Sequence, residues 1–248
     1  MVMSPDPRPA AQPGQDDRGP VARAAVPDGP IFRQLRLWID PVPRPGPEAM
    51  AVDEWLLENA GSPVLRVYGW LGAWASIGYF GKLAEAQAAL AGVQWVRRWT
   101  GGGVVDHRAD WTYSVVVPGG AGLTQMRGVE SYRRIHLALA AALRVEGLTA
   151  RLSAGDQQTG AALCFDNPVG HDLVGADGGK LAGAGQRRTR QGLLHQGSVA
   201  AACHDEGSKT RAVALASTLA ADWELHDFKP PAAVIACLVA ARYARRAG

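Results

Sequence analysis

Residues 171–200, HDLVGADGGKLAGAGQRRTRQGLLHQGSVA, hold three short β-forming segments, at 171–175, 180–186 and 193–200. The first two are joined by Ala176-Asp177-Gly178-Gly179, a turn-like tetrad, and read as a hairpin. A chain carrying these segments is organised around a sheet. Upstream lie further strand candidates: Phe32 to Ile39, stopped by Pro41, Pro43 and Pro45, then Val64 to Tyr68, Ala75 to Phe80 and Trp95 to Arg98. Val104-Val105 and the run Trp111 to Val117, closed by Pro118, read as two strands separated by a polar turn.

Helical periodicity is sparser. From Pro47 to Gly61 the apolar Met50, Val52, Leu56 and Leu57 alternate with the polar Glu48, Asp53, Glu54 and Glu58, with Pro suited to the first turn and Gly to the stop. Residues 127–146 give the clearest amphipathic pattern. There Val129, Tyr132, Ile135, Leu139, Ala142 and Leu143 share a side, and Gly147 ends the helix. Shorter helices are expected over residues 83–91, 209–219 and 231–246. This order lacks a regular β-α-β rhythm, so the expected class is α+β, a mixed sheet flanked by helices.

Composition narrows the setting. With 248 residues, 47% hydrophobic and 20% charged, the chain suits one globular domain over residues 30–248. Residues 1–29 are rich in Pro, Gly, Asp and Arg and are expected to form a disordered tail. A net charge of +3 is too small to call for nucleic acid. Arginine clusters at Arg97-Arg98, Arg133-Arg134, Arg187-Arg188 with Arg190, and Arg245-Arg246 suit either solvated faces or an acidic protein partner. Cys164, Cys203 and Cys237 show no metal-ligand spacing and read as free thiols. Neither a leader pattern nor a membrane-length apolar run is present, which excludes a membrane role and gives a cytoplasmic expectation.

Three features could carry chemistry. In Arg97-Arg98-Trp99-Thr100-Gly101-Gly102-Gly103-Val104-Val105-Asp106-His107 a glycine triplet sits between strand-like runs. Such a triplet lets main-chain N–H groups approach an acyl carbonyl, a phosphate or an oxyanion, or else makes a flexible hairpin. Lys180 opens a glycine-punctuated apolar strand. Packed against apolar surface it would shed its charge more easily and could carry a proton or donate to a carbonyl; the bland alternative is an exposed hairpin lysine. Cys164 precedes that hairpin. It is either an inert core residue or, beside an ammonium, a thiolate nucleophile.

Taken together, RRWTGGGVVDH with DWTYS, CFDNPVGHDLV and GGKLAGAGQRRTRQGLLHQGSV resemble the successive signatures of the lipoate-protein ligase and octanoyltransferase family. PEAMAVDEWLL and WASIGYF resemble its first helix and following strand, so the similarity runs in order over residues 32–200. It implies the biotin/lipoate protein ligase catalytic fold, a mixed, mostly antiparallel sheet flanked by α-helices. It also implies transfer of octanoyl or lipoyl to a protein lysine. In the cysteine-dependent members the residue matching Cys164 carries the acyl thioester, and the lysine matching Lys180 is essential. The resemblance assigns substrate binding to Arg98, Thr100, Gly101, Gly102, Gly103, Val104, His107, Gly183 and Ala184, with Tyr79 beside them. Tyr79, Trp99 and Val104 are the expected apolar walls. Octanoyl-acyl carrier protein would be the donor, a lipoyl domain or glycine cleavage H protein the acceptor, and neither cofactor nor metal would be needed. Gly103 stands where cysteine transferases often carry arginine, and the GGG run matches ligases, which use ATP and Mg²⁺. His171 also departs from the usual residues before Leu-Val. A silent binder of lipoyl domains or acyl ligands is the third reading.

Overall fold

A computed structural model describes residues 29–155 and 169–243 of the chain. In chain order its elements are β1 (Phe32–Ile39), α1 (Gly46–Asn59), β2 (Val64–Tyr68), β3 (Trp74–Ile77), α2 (Leu83–Ala89), β4 (Gln94–Arg97), β5 (Val104–Asp106) and β6 (Trp111–Pro118). There follow α3 (Gly122–Gln125), α4 (Gly128–Val145), β7 (Arg151–Leu152), β8 (Leu173–Val174), β9 (Lys180–Arg188), β10 (Gly192–Val199), α5 (Asp205–Leu219), β11 (Ala220–Leu225) and α6 (Ala232–Leu238). A π-helical turn, Val239–Tyr243, continues α6.

Among the described residues the large sheet has eight strands in the order β11-β1-β2-β6-β10-β9-β8-β7. Only the β11–β1 and β1–β2 pairs are parallel; the rest run antiparallel, so the sheet is mixed and mostly antiparallel as expected. The segments expected at 171–175, 180–186 and 193–200 lie side by side as β8, β9 and β10. β2 and β10 are buried along their whole length because helices cover both sheet faces, and their polar members, Arg66 of β2 and His195, Gln196 and Ser198 of β10, are hydrogen-bonded inside. On one face Leu65, Val115 and Leu193 pack with Ile135 and Leu139 of α4 and Leu215 of α5. On the other, Val64, Val116 and Leu194 meet Met50 and Leu56 of α1 and Ile235 of α6.

A second sheet, β4-β3-β5, holds a small core with α2 built on Ala75, Ile77, Ala86, Trp95 and Val104. The expected pair of strands around residues 104–117 is therefore split. β5 pairs with β3 in the small sheet, whereas β6 lies in the middle of the large one. β3 stops at Ile77 instead of running to Phe80.

Two helix faces differ from the periodic reading. Asp53 and Glu54, expected on the polar side of α1, are fully buried. Asp53 pairs with Arg66 of β2 at 2.7 Å, and Glu54 accepts a hydrogen bond from Tyr243 at 2.6 Å. Val129, expected on the apolar side of α4, is exposed in its first turn. Gly147, with φ +81°, does end α4. The tail expected over residues 1–29 lies, apart from Gly29, outside the described residues.

Candidate active site

Lys180, the first residue of β9, turns its side chain inward and leaves only 2% of it exposed. Its Nζ is 2.6 Å from Oδ2 of Asp172, which is itself buried. The apolar packing expected for Lys180 is thus replaced by an ion pair. Asp172 Oδ1 accepts the Tyr132 hydroxyl at 2.5 Å, and that hydroxyl in turn accepts the Ala184 N–H at 3.0 Å. Gly183 supplies the room: a Cβ there would lie 2.8 Å from Lys180 Nζ.

A buried aromatic and imidazole layer supports this pair. The His136 ring lies 4.2 Å from that of Tyr132 and donates from Nδ1 to the His171 carbonyl at 2.6 Å. His171 has a φ of 69°, a left-handed backbone, immediately before Asp172. Burial, the largest influence, drops His136 to about 4, and it also takes His195 well below the ordinary imidazole range. Both imidazoles are therefore neutral at pH 7. Burial and the neighbouring Asp172 carboxylate push the Tyr132 hydroxyl well above its ordinary value, keeping it a donor.

The glycine triplet sits where the two sheets meet. Arg98 is buried and donates to the carbonyls of Ser76 (3.0 Å), Gly101 (3.2 Å) and Gly103 (2.9 Å), tying the loop to β3. Gly102 has a φ of +99°, which explains why glycine occupies it. Thr100 donates to Gln196 Oε1 at 2.8 Å, and Gln196 donates to Asp53 Oδ2 at 2.8 Å. Asp53 also accepts from Arg66 and from Ser114. A hydrogen-bonded chain thus runs from the centre of α1 through β10 to the loop, fixing its position from inside the core.

A narrow cavity, with about 380 Å³ of empty space once its opening to solvent is included, lies between this loop and β9–β10. Met50, Tyr68, Trp70, Val105 and Ala184 give it apolar walls, and Gly102, Gly183, Gln196 and Ser198 also line it. His107 forms part of its wall and is held on both nitrogens, by Ser76 Oγ at 2.6 Å and Asp110 Oδ2 at 2.8 Å. The Ser76 hydroxyl also accepts from Arg98 at 2.6 Å, and Asp110, as a carboxylate, accepts the His107 Nδ1–H. Both ring nitrogens are engaged in the wall.

The structure therefore brings Arg98, Gly102, His107, Gly183 and Ala184 to one cavity, with Thr100 and Gly101 supporting its rim and Lys180 behind Gly183. Gly103 is exposed beside them. Val104 belongs to the small-sheet core and Val105 takes the cavity side. Tyr79 and Trp99 lie outside the cavity, with the Arg187 guanidinium 5.1 Å and 4.6 Å from their ring centres. Cys164 lies outside the described residues. The arginine pairs are less uniform than solvated faces would be. Arg97 binds the carbonyls of the 78–81 turn, Arg98 clamps the loop, and Arg133 pairs with Glu130. Sequence reading missed Asp172, Gln196, Ser76 and Trp70. Asp172 next to an unusual His171 was the one signal available for any of them.

Comparison with known proteins agrees with this architecture. A model of the lipoyl protein ligase A/B catalytic domain matches residues 45–214. Octanoyltransferase LipM of Symbiobacterium thermophilum is 37% identical over 176 residues, covering 63% of this chain and 61% of that protein. Octanoyltransferase LipM of Kyrpidia tusciae is 39% identical over 169 residues, 60% of each chain. The chain thus spans about three fifths of the length of these relatives. Among solved structures, a T. acidophilum protein with bound lipoic acid superposes with a TM-score of 0.60 at 19% identity, covering 84% of this chain and 92% of that one. Lipoate-protein ligase A bound with ATP gives 0.56 at 21% identity, with 84% and 92% covered. At such identities these two establish the fold.

Proposed function

The chain belongs to the lipoyl protein ligase A/B catalytic domain family, and from that premise we propose that it moves an octanoyl group from octanoyl-acyl carrier protein, through a thioester on Cys164, to a lysine of a lipoyl domain or glycine cleavage H protein. The observation that carries this reading is the double use of Asp172. Its Oδ2 holds Lys180 Nζ at 2.6 Å and also accepts the N–H of Val169, five residues after Cys164, at 2.9 Å. On the other flank Gly155 lies against Gly170, a Cβ on Gly155 falling 3.1 Å from the Gly170 Cα. Both described flanks of residues 156–168 therefore close beside the lysine. The relatives named octanoyltransferase, at 37% and 39% identity, support the same reading.

In the first half of the reaction the Cys164 thiolate attacks the donor thioester carbonyl. The tetrahedral intermediate collapses with cleavage of the donor's C–S bond, and the carrier leaves as its thiol, taking one proton. In the second half the neutral acceptor amine attacks the acyl-enzyme carbonyl, Cys164 leaves as thiolate, and the amine loses one proton as the amide forms. Covalent catalysis splits one difficult transfer into two easier ones. Lys180, oriented by Asp172, and the main-chain N–H groups at Gly102 and Gly103 stabilise the oxyanion in both halves; one such donor is worth ~3 kcal/mol. No cofactor enters this scheme. Apolar walls take up the alkyl chain, at ~0.8 kcal/mol for each methylene buried.

Intact-mass measurement after mixing the protein with octanoyl-acyl carrier protein, without ATP, tests the scheme. One octanoyl increment, released by hydroxylamine and absent from Cys164→Ala, is the expected result. If neither protein is labelled, and ATP, Mg²⁺ and free lipoate instead give an adenylate and a modified lipoyl domain, the chain is a ligase and Cys164 has no covalent role.

A further inference from the structure

This narrow cavity shares Tyr68, Trp70, His107 and Thr112 with a second groove, open to solvent, that continues past them towards Asp110 and Ser208. Those four residues separate the two spaces. Trp70 lies flat on His107, with ring centres 4.0 Å apart and planes 18° apart. Its indole N–H donates to Thr112 Oγ1 at 2.8 Å. Thr112 then donates to Asp110 Oδ2 at 3.0 Å, the oxygen that also holds His107 Nδ1 at 2.8 Å. Trp70 is thus fixed by a stacked face and by a hydrogen bond at its edge, and both its partners converge on one carboxylate. Its backbone is held as well, by an isolated bridge to Arg44.

Strand register gives the distance from this partition to the reactive end. Gly183, against which Lys180 Nζ rests, faces Ser198 across β9–β10, and Ser198 faces Thr112 across β10–β6. Gly183 and Thr112 are therefore two strand spacings apart, about 10 Å. That is comparable with the length of an extended eight-carbon acyl chain. A longer chain starting at the same end would run into the Trp70 indole, beyond which lies the open groove.

We propose that the Trp70–His107 stack is the chain-length stop of the acyl cavity, and that removing the indole joins the cavity to the groove behind it and admits acyl groups of twelve or more carbons. The inference rests on the acyl-binding part of the proposed function, but it does not depend on Cys164. Trp70 is a specificity residue here, with no part in bond making.

Titration calorimetry of the full chain with octanoic, decanoic and dodecanoic acids, for wild type, Trp70→Ala and Trp70→Phe, tests it. Wild type is expected to bind the eight-carbon acid at least tenfold more tightly than the twelve-carbon acid. Trp70→Ala, with an unchanged circular dichroism spectrum, is expected to reverse that order. Should Trp70→Ala not fold, Trp70→Phe decides, with a severalfold shift in favour of the ten-carbon acid. A folded variant that keeps the wild-type preference, or a wild type that binds twelve carbons as well as eight or binds no acid at all, overturns the proposal. Acylation by octanoyl-acyl carrier protein is scored separately: a chain-length cutoff that moves with Trp70, without any Cys164 thioester, sinks the transfer reading and leaves the stop standing.

Discussion

The ion pair of Lys180 with Asp172 is built on neutral imidazoles, and its stability should depend on pH for that reason. His136 is fully buried, donates to the His171 carbonyl, and is brought to about 4 mainly by loss of hydration. The unfolded chain, with an ordinary imidazole at about 6.5, binds that proton more readily than the folded one. Stability from this residue is thus complete above pH 6.5 and is lost as pH falls towards 4. The full span is about 3 kcal/mol, since each unit corresponds to ~1.4 kcal/mol. His195, lowered in the same sense, adds to it. Urea unfolding at pH 7 and pH 4.5 should show this loss in wild type and a smaller one in His136→Asn, whose side-chain amide can still donate to His171. Equal losses in the two proteins would mean that other groups set the acid limb.

At the scale of elements, α1 shows how far a sequence can be read and where reading stops. Its limits follow from Pro47 and Gly61, and the structure places it at Gly46–Asn59. Its carboxylates read only as the polar residues of the helix, because one helix, taken alone, gives no sign that an arginine on a strand will meet it. Arg66 is fully buried between Asp53 and Asp40 and touches the Ala49 carbonyl at 3.0 Å. The ladder β8-β9-β10 was legible because its glycines and apolar runs mark turns and strands locally. β11 was not, since Ala220–Leu225 is a largely exposed edge strand held by pairing with β1 and by the contacts of Ala220 and Trp223 at the margin of the core. The site divides the same way. Lys180 and the glycine triplet carry local signals, while Asp172, Gln196 and Trp70 acquire their meaning from partners in other elements. Breaking one such partnership is costly: Asp53→Ala leaves the Arg66 guanidinium buried with one carboxylate fewer and should destabilise by about 3–5 kcal/mol. Denaturant midpoints of Asp53→Ala and Asp53→Asn would test this, and a loss under 1 kcal/mol in both would place the anchoring of α1 in its apolar contacts alone.

Across the whole molecule the site exists because two sheets approach each other closely enough for backbone to rest on backbone. Gly78 of the small-sheet side and Gly185 of β9 enclose the triplet between them: a Cβ on Gly78 would lie 2.0 Å from the Gly102 carbonyl oxygen, and one on Gly185 would lie 2.4 Å from that of Gly101. Neither neighbour is the flexible end of a side chain, so an added methyl has to push the sheets apart. Gly101 itself has nothing within 4 Å of an added Cβ and does not require a left-handed φ. Two methyl additions a few ångströms apart should therefore behave oppositely. Gly185→Ala is expected to cost about 1–3 kcal/mol, as overpacking typically does, which corresponds to a drop in Tm of several degrees for a chain of this size. Gly101→Ala should leave Tm within about 2 °C of wild type, because surface changes away from packed contacts usually stay within ~0.5 kcal/mol. Because Gly185 also lines the cavity proposed to take the acyl chain, its replacement should weaken octanoic acid binding along with stability. Melting curves of the two variants side by side decide the matter. If Gly185→Ala melts with wild type, the junction is loose enough to absorb a methyl group, and the glycines would owe their place to ligand approach instead of to the packing of one sheet on the other.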